Sequence, residues 1–208
     1  MKLIQRQGYL DFLRRNRNRP IVKVVSGIRR CGKSTLFRLF KDELLSEGIK
    51  PEQIISINFE ELEYEHLRDY HALYQYILER MQPDEMNYIF LDEIQHVDQF
   101  HRVVDSLFVK ENTDLYITGS NAYFMSSDIA TLLTGRYVEI QMLPLSFSEF
   151  YHSKYDGNQY SLIPAYESYL RESSFPYTQQ LGGEDFDIQE YLRGLYNTLL
   201  LHDVVARL

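Results

Sequence analysis

The chain has one cysteine, Cys31, and no tryptophan among its 208 residues. A single thiol excludes an internal disulfide, so the fold rests on its core, and a reducing compartment suits it. Long apolar runs are missing too. The opening segment, MKLIQRQGYLDFLRRNRNRP, breaks its apolar residues with charges, which excludes a signal peptide. No later stretch approaches the roughly 20 residues of a membrane span. The expectation is a cytoplasmic protein with no membrane partner. Excess positive charge is also absent. The formal net charge of −8 argues against a nucleic-acid surface over the whole domain and leaves a local basic patch open. There is no internal repeat and no low-complexity linker. The six histidines show no metal-ligand spacing with Cys, Asp or Glu, and His96 reads as a loop residue.

What is present is ordinary globular material, 44% apolar and 25% charged. The length fits one large domain, or one domain with an appendage. Leu3 to Arg15 reads as an amphipathic helix. β-branched or apolar runs at Ile21–Val25, Ile54–Asn58, Tyr88–Leu91, Leu115–Thr118 and Tyr137–Gln141 read as strands. Helical spacing fills Ser34–Glu47, Glu65–Met81, Phe100–Lys110 and Tyr123–Leu133 between them. Strands alternating with helices imply an α/β fold, a parallel sheet covered on both faces. From Ser146 onward only helices broken by Gly, Asn and Pro remain. The expected division is a core over 1–145 and a helical lid, or the start of a second unit, over 146–208.

Gly27-Ile28-Arg29-Arg30-Cys31-Gly32-Lys33-Ser34 matches the phosphate-loop pattern at every fixed position, between a predicted strand and a predicted helix. Glycines let successive backbone N–H groups curl toward one anion, and the following helix adds its positive end. Lys33 would place a point charge on the β- and γ-phosphates, and Ser34 would offer its hydroxyl oxygen to Mg²⁺. Thr35 closes the segment. Cys31 reads as a small filler, with a redox role as the alternative.

Tyr88-Ile-Phe-Leu-Asp92-Glu93 sets two carboxylates after an apolar run. Asp92 can hold Mg²⁺ through water, and Glu93 can act as general base toward an attacking water. Downstream of a phosphate loop, this outweighs the alternative of an acidic helix cap. No Asn-Lys-x-Asp guanine reader occurs, which points to ATP over GTP. One strand fits between loop and doublet, the arrangement of P-loop ATPases with a catalytic glutamate. It implies a three-layer fold with a five-stranded sheet in the order 5-1-4-3-2. Asn58 then ends the strand beside Asp92 and reads as a turn residue; the likeness to ATPases of the AAA+ type implies the alternative, a polar residue that holds the catalytic Glu in an inactive rotamer. After the fourth strand, Asn121, Ser120 and Thr118 are candidates, in that order, to touch the γ-phosphate or the water. A helix cap is the alternative there.

With these residues in place, the chain resembles a bacterial and archaeal family of AAA-type ATPases that join an N-terminal ATPase domain to a C-terminal domain of unknown function. The matching segments are Ser26–Thr35, Ile57–Glu60, Phe90–Gln95, Ile117–Asn121, Leu133–Arg136, Leu143–Phe150 and the helix from Tyr191 to Val205. Coverage is nearly the whole chain. The resemblance implies ATP and Mg²⁺ as ligands, a possible homo-oligomer, and a chain that continues beyond Leu208. It also implies that Arg136, before the fifth strand, is an arginine finger. The alternative is a surface arginine, or one paired with Glu139 or Glu149. One departure is Ser173-Ser-Phe-Pro176, where relatives usually have Gly-Gly before Phe-Pro.

Two features read as structural. The arginines at 14, 15, 17 and 19 suit a solvated helix C-terminus better than a phosphate-binding patch. Tyr70, Tyr74 and Ile77 share one helical stripe and suit packing better than base stacking. The leading functional expectation is an Mg²⁺-dependent ATPase that drives a conformational or partner-remodelling task. A nucleotide-gated binding module with negligible turnover and a DNA-associated motor subunit are the alternatives. The protein or DNA partner is not legible in the sequence.

Overall fold

The computed structural model describes residues 4–120, 133, 135–155, 160–181 and 185–199. Their contacts form two compact units. The larger holds Gln7–Gly27 and the described part of Lys33–Met142. The smaller holds Arg6, Ile28–Gly32 and the described residues from Leu143 on.

The larger unit is a five-stranded parallel sheet with helices on both faces. Its strands are β1 (Val22–Gly27), β2 (Ile54–Asn58), β3 (Asn87–Asp92), β4 (Thr113–Ser120) and β5 (Tyr137–Met142). Their order is β2-β3-β4-β1-β5, every pair parallel, which is the expected 5-1-4-3-2 read from the other edge. A parallel sheet buried on both faces needs apolar side chains in both directions, and β1 and β3 are buried along their whole length. Alternate residues serve opposite faces. Ile89, Leu91, Leu115 and Ile117 join the core made with α3 (Tyr70–Leu78) and α4 (Phe100–Phe108). Phe90 and Tyr116, one residue out of phase, stack at 4.6 Å beneath Phe37 and Phe40 of α2 (Lys33–Ser46).

Helix ends follow local chemistry. The predicted helix over 65–81 divides in two. Asp69 accepts a hydrogen bond from Ala72 N at 2.9 Å and caps α3, leaving Leu62–Arg68 as a separate tight turn. Tyr70 and Tyr74 pack against the core and Ile77 lies inside it, so that stripe is packing. Gly48, at φ 93°, ends α2 in a left-handed turn that a side chain would resist. Helix α1 (Gln7–Asn16) buries Leu10 and Leu13. Of the arginines at and after its C-terminus, Arg15 and Arg19 are exposed as expected, while Arg14 bonds Glu43 at 2.6 and 2.7 Å, and Arg17 pairs with Glu47 and lies over the Tyr88 ring at 5.4 Å. The helix expected over Tyr123–Leu133 lies, apart from Leu133, outside the described residues.

The smaller unit contains α5 (Phe147–Tyr155), α6 (Leu162–Glu172) and α7 (Asp185–Leu199). Ser146 and Glu149 cap α5 reciprocally: Ser146 N donates to Glu149 Oε2 at 2.8 Å, and Glu149 N donates to Ser146 Oγ at 3.2 Å. Tyr169 of α6 donates to Leu145 O at 2.8 Å and packs its ring on Phe150. Ser173 adopts φ 74° and ψ 165°, a conformation that suits glycine. The backbone there adopts a glycine-favoured geometry on a serine. No described helix is long and apolar enough to cross a membrane.

Candidate active site

The C-terminal edge of the sheet gathers the chemistry. Register sets Gly27 beside Ser120 and Asn58 beside Asp92. From Gly27 the chain runs through the loop into α2, which begins at Lys33. Arg30 (φ 65°) and Gly32 (φ 108°) have left-handed backbone and Cys31 between them does not. Such alternation turns successive N–H groups to one side and makes an anion-binding nest. Arg30 tolerates this at some strain, while at φ 108° only glycine fits well.

Within the larger unit, Lys33, Asp92 and Glu93 are all buried. The Lys33 ammonium donates to Gly27 O at 3.1 Å and pairs with Glu93 Oε1 at 3.1 Å. Ser34 and Thr35 open the first turn of α2. The Ser34 hydroxyl is hydrogen-bonded to the Asp92 carboxylate. Thr118 completes the group, since its hydroxyl donates to Asp92 Oδ1 and accepts from Glu93 N, the latter at 2.9 Å. Burial pushes the Asp92 carboxyl up from the usual range. The hydrogen bonds from Ser34 and Thr118 oppose that rise, the nearby Glu93 charge adds to it, and Lys33 counters it. A buried carboxylate in this state is stabilised by a cation, and a carboxylate beside a serine hydroxyl is the hard oxygen donor set that Mg²⁺ takes alongside phosphate and water oxygens.

Glu93 sits at φ 55° and ψ 49°, left-handed for a non-glycine residue. That turn directs the chain sharply away from β3 into Ile94–His96. Strain of this kind is worth about 1–3 kcal/mol and gathers at working sites. The Glu93 carboxylate is held at both oxygens, by Lys33 and by Gln95 Nε2.

Ile28 to Gly32 belong to the smaller unit. Cys31 is fully buried there, which suits a filler rather than a reactive thiol. Its carbonyl accepts from Arg6 Nη1 at 3.4 Å. Arg6, almost fully buried, also donates to Leu143 O at 2.5 Å and Pro144 O at 3.2 Å, and grips Glu149 at 2.8 and 3.0 Å. Burial pushes the Glu149 carboxyl up, but the Arg6 bonds and the Ser146 N–H outweigh it and hold the group below the usual range. Arg30 lies over the Tyr191 ring at 5.8 Å. Ile28 and Arg29 are partly exposed.

Other predicted residues fall elsewhere. Asn121 lies outside the described residues, and Thr118, the third candidate, holds the place beside the doublet. Asn58 is a turn residue: it accepts from Glu60 N and donates to Glu61, both at 3.1 Å. Arg136 precedes β5, at the edge opposite the phosphate loop, because Val22 N donates to its carbonyl at 2.8 Å and Tyr137 pairs with Val22 at the start of β1. Its side chain meets Asp105 at 3.6 Å and the Phe108 ring at 5.4 Å. The residue is exposed, and the glutamates of the paired alternative are engaged by others, Glu139 by Ser26 and Glu149 by Arg6. Sequence reasoning gave no role to Arg6 or Gln95. Nothing around Arg6 signalled one, whereas a glutamine two residues past the doublet was a visible hint.

An AAA domain family model matches residues 19–151. The chain belongs to the AAA domain family. An uncharacterized protein of Haemophilus influenzae is 39% identical to this AAA domain over 208 residues, 99% of the chain and 51% of the relative. The chain therefore spans about half the length of that relative. Among solved structures, a Walker-type ATPase of Pyrococcus abyssi superposes with a TM-score of 0.62 at 16% identity, over 98% of this chain and 75% of that one. AMPPCP-bound DnaA of Aquifex aeolicus gives 0.51 at 11% identity, over 98% and 63%. At such identities these two speak for the fold alone.

Proposed function

We propose that this AAA domain binds ATP with Mg²⁺ and hydrolyses it, and that turnover drives a conformational change in a longer protein. The observation that carries the reading is the buried group of Lys33, Asp92, Glu93 and Thr118, with the exposed Ser34 hydroxyl bonded to Asp92, at the sheet edge where the phosphate loop begins. The N–H groups at the start of α2 would receive the phosphates. Ser34 and Asp92 would hold Mg²⁺, which when bound neutralises phosphate charge. Lys33 now has Glu93 as its counter-ion. Incoming phosphates compete for that ammonium and release one Glu93 oxygen toward water. Water oxygen attacks the γ-phosphorus, the bond to the β–γ bridging oxygen breaks, ADP leaves, and Glu93 takes the proton from the water. Thr118 holds Asp92 and the Glu93 backbone in register while this happens.

The test is phosphate release with and without Mg²⁺, together with calorimetric titration of ATP. Lys33→Ala should lose nucleotide binding, since the main counter-charge is gone. Glu93→Gln should keep binding and slow release by about a hundredfold or more. A parent that binds ATP tightly yet releases no phosphate would instead be a nucleotide-gated binding module.

A further inference from the structure

Gln95 is hydrogen-bonded to the acidic doublet and has no part in the scheme above. The left-handed turn at Glu93, closed by His96 N donating to Glu93 O at 3.2 Å, folds Gln95 back over the Glu93 carboxylate. Gln95 Nε2 donates to Glu93 Oε2 at 2.5 Å. An ionised carboxylate only accepts, so this contact fixes which end of the amide faces Glu93. The other end, Oε1, is then a buried acceptor with no hydrogen-bond partner among the described residues. Asn58, the residue that the sequence offered for holding Glu93, is occupied by Glu60 and Glu61.

The two oxygens of Glu93 are thus held differently. Oε1 faces the Lys33 ammonium, for which phosphates compete. Oε2 faces a neutral amide, which phosphates leave in place. After Lys33 turns to phosphate, a freed carboxylate oxygen and the Gln95 carbonyl, on two side chains joined by one hydrogen bond, are acceptors without donors. A molecule that donates twice from one atom satisfies both, and water does so. We propose that Gln95 is a water-positioning residue: its amide N–H fixes the Glu93 carboxylate, and its carbonyl accepts one O–H of the attacking water while Glu93 accepts the other. The proton on the Glu93 side moves to Glu93 as the oxygen bonds to the γ-phosphorus. The other O–H stays with the oxygen and leaves on the phosphate. This inference rests on the hydrolytic reading above.

Gln95→Met keeps the length of the side chain and removes both hydrogen bonds, and Gln95→Ala serves as the second variant. Three quantities separate positioning from scaffolding: phosphate release, affinity for a non-hydrolysable ATP analogue, and affinity for ADP with aluminium fluoride, which mimics the planar phosphoryl group with its axial water. The expected result is kcat lower by about ten- to a hundredfold, with KM and analogue affinity within about twofold of the parent. Affinity for ADP–aluminium fluoride should fall in proportion to kcat. Parent-level kcat in either folded variant overturns the proposal, as does equal weakening of both nucleotide complexes, the mark of a structural role. A parent that binds the analogue but releases no phosphate removes the hydrolytic reading and this inference together. A parent that turns over beside an unchanged Gln95→Met removes this inference alone.

Discussion

Two buried lysine–carboxylate pairs lie at opposite ends of β1. At its start, Lys23 pairs with Asp114, and both side chains are wholly buried. Past its end, Lys33 pairs with Glu93, with 3% and 7% of the side chains exposed. The pairs look alike and differ in what surrounds them. Asp114 also accepts from Asn18 N at 2.9 Å and from Tyr116 Oη at 2.7 Å, and Lys23 donates to Arg19 O at 3.0 Å. Each of these partners is part of the sheet or of the turn that enters it. Burial drives the Lys23 ammonium down from its usual range, and Asp114 opposes that. The Glu93 pair has a lysine that in the proposed function turns to phosphate, a strained backbone, and a neighbour, Asp92, whose charge burial disfavours. Full satisfaction makes an anchor. Partial satisfaction, with partners that a ligand can replace, makes a site.

The largest effect should come from the anchor. Asp114→Ala leaves the Lys23 ammonium buried and unpaired, which typically costs about 3–5 kcal/mol. For a chain of this size that is a fall in melting temperature of about 6–20 °C. ATP affinity of the folded variant should stay at the parent level. A loss below about 1 kcal/mol in thermal melts would show that the pair behaves like a surface contact, and the contrast between the two ends would fail.

The two ends also differ in how far the sequence reveals them. The phosphate loop and the acidic doublet are each a contiguous motif, so spacing marked Lys33, Ser34, Asp92 and Glu93; the alternation of apolar runs marked a parallel sheet, and its strand order followed from the likeness to P-loop ATPases with a catalytic glutamate. The anchor joins residues 91 positions apart, and Lys23 in a β-branched run carries no local sign of its partner. Arg6 is illegible for the same reason, with contacts 25 to 143 positions away. Gln95 is close in sequence to Glu93, but its role depends on the left-handed turn, which no residue type at Glu93 announces.

Strained backbone sharpens the comparison at a smaller scale. Glu93 and Ser173 are both non-glycine residues at positive φ, 55° and 74°. At Glu93 the turn aims a carboxylate. At Ser173 no described contact of the side chain uses the conformation, and φ 74° with ψ 165° is close to glycine-only territory. Ser173→Gly should therefore stabilise the chain by about 1 kcal/mol, read as a melting temperature higher by about 2–4 °C, with phosphate release unchanged. No gain would mean that the serine relieves the strain in some other way.

The smallest expected change, and the one most specific to the site, is at Asp92. Its folded-state carboxyl lies above the usual range, mainly through burial. The folded state then binds a proton more readily than the unfolded state does. Stability from this group accordingly rises as pH falls from above the folded value toward the unfolded one, and it is lost as pH climbs back. At neutral pH the unliganded chain carries a charge that folding disfavours. Asp92→Asn removes that charge and keeps an acceptor for Thr118 and Ser34, so without ligand the variant should melt above the parent at pH 7 to 8. The gap should narrow as the pH falls toward the carboxylate range. With Mg²⁺ and ATP the order should reverse, because the parent carboxylate gains a cation and the amide does not. Ligand-induced stabilisation of the parent should in turn shrink at acidic pH, where protons compete for Asp92. Melts at two pH values, with and without Mg²⁺–ATP, test all of this in one experiment. A variant that melts below the parent without ligand would place Asp92 with the anchors, as a group whose charge the fold itself requires.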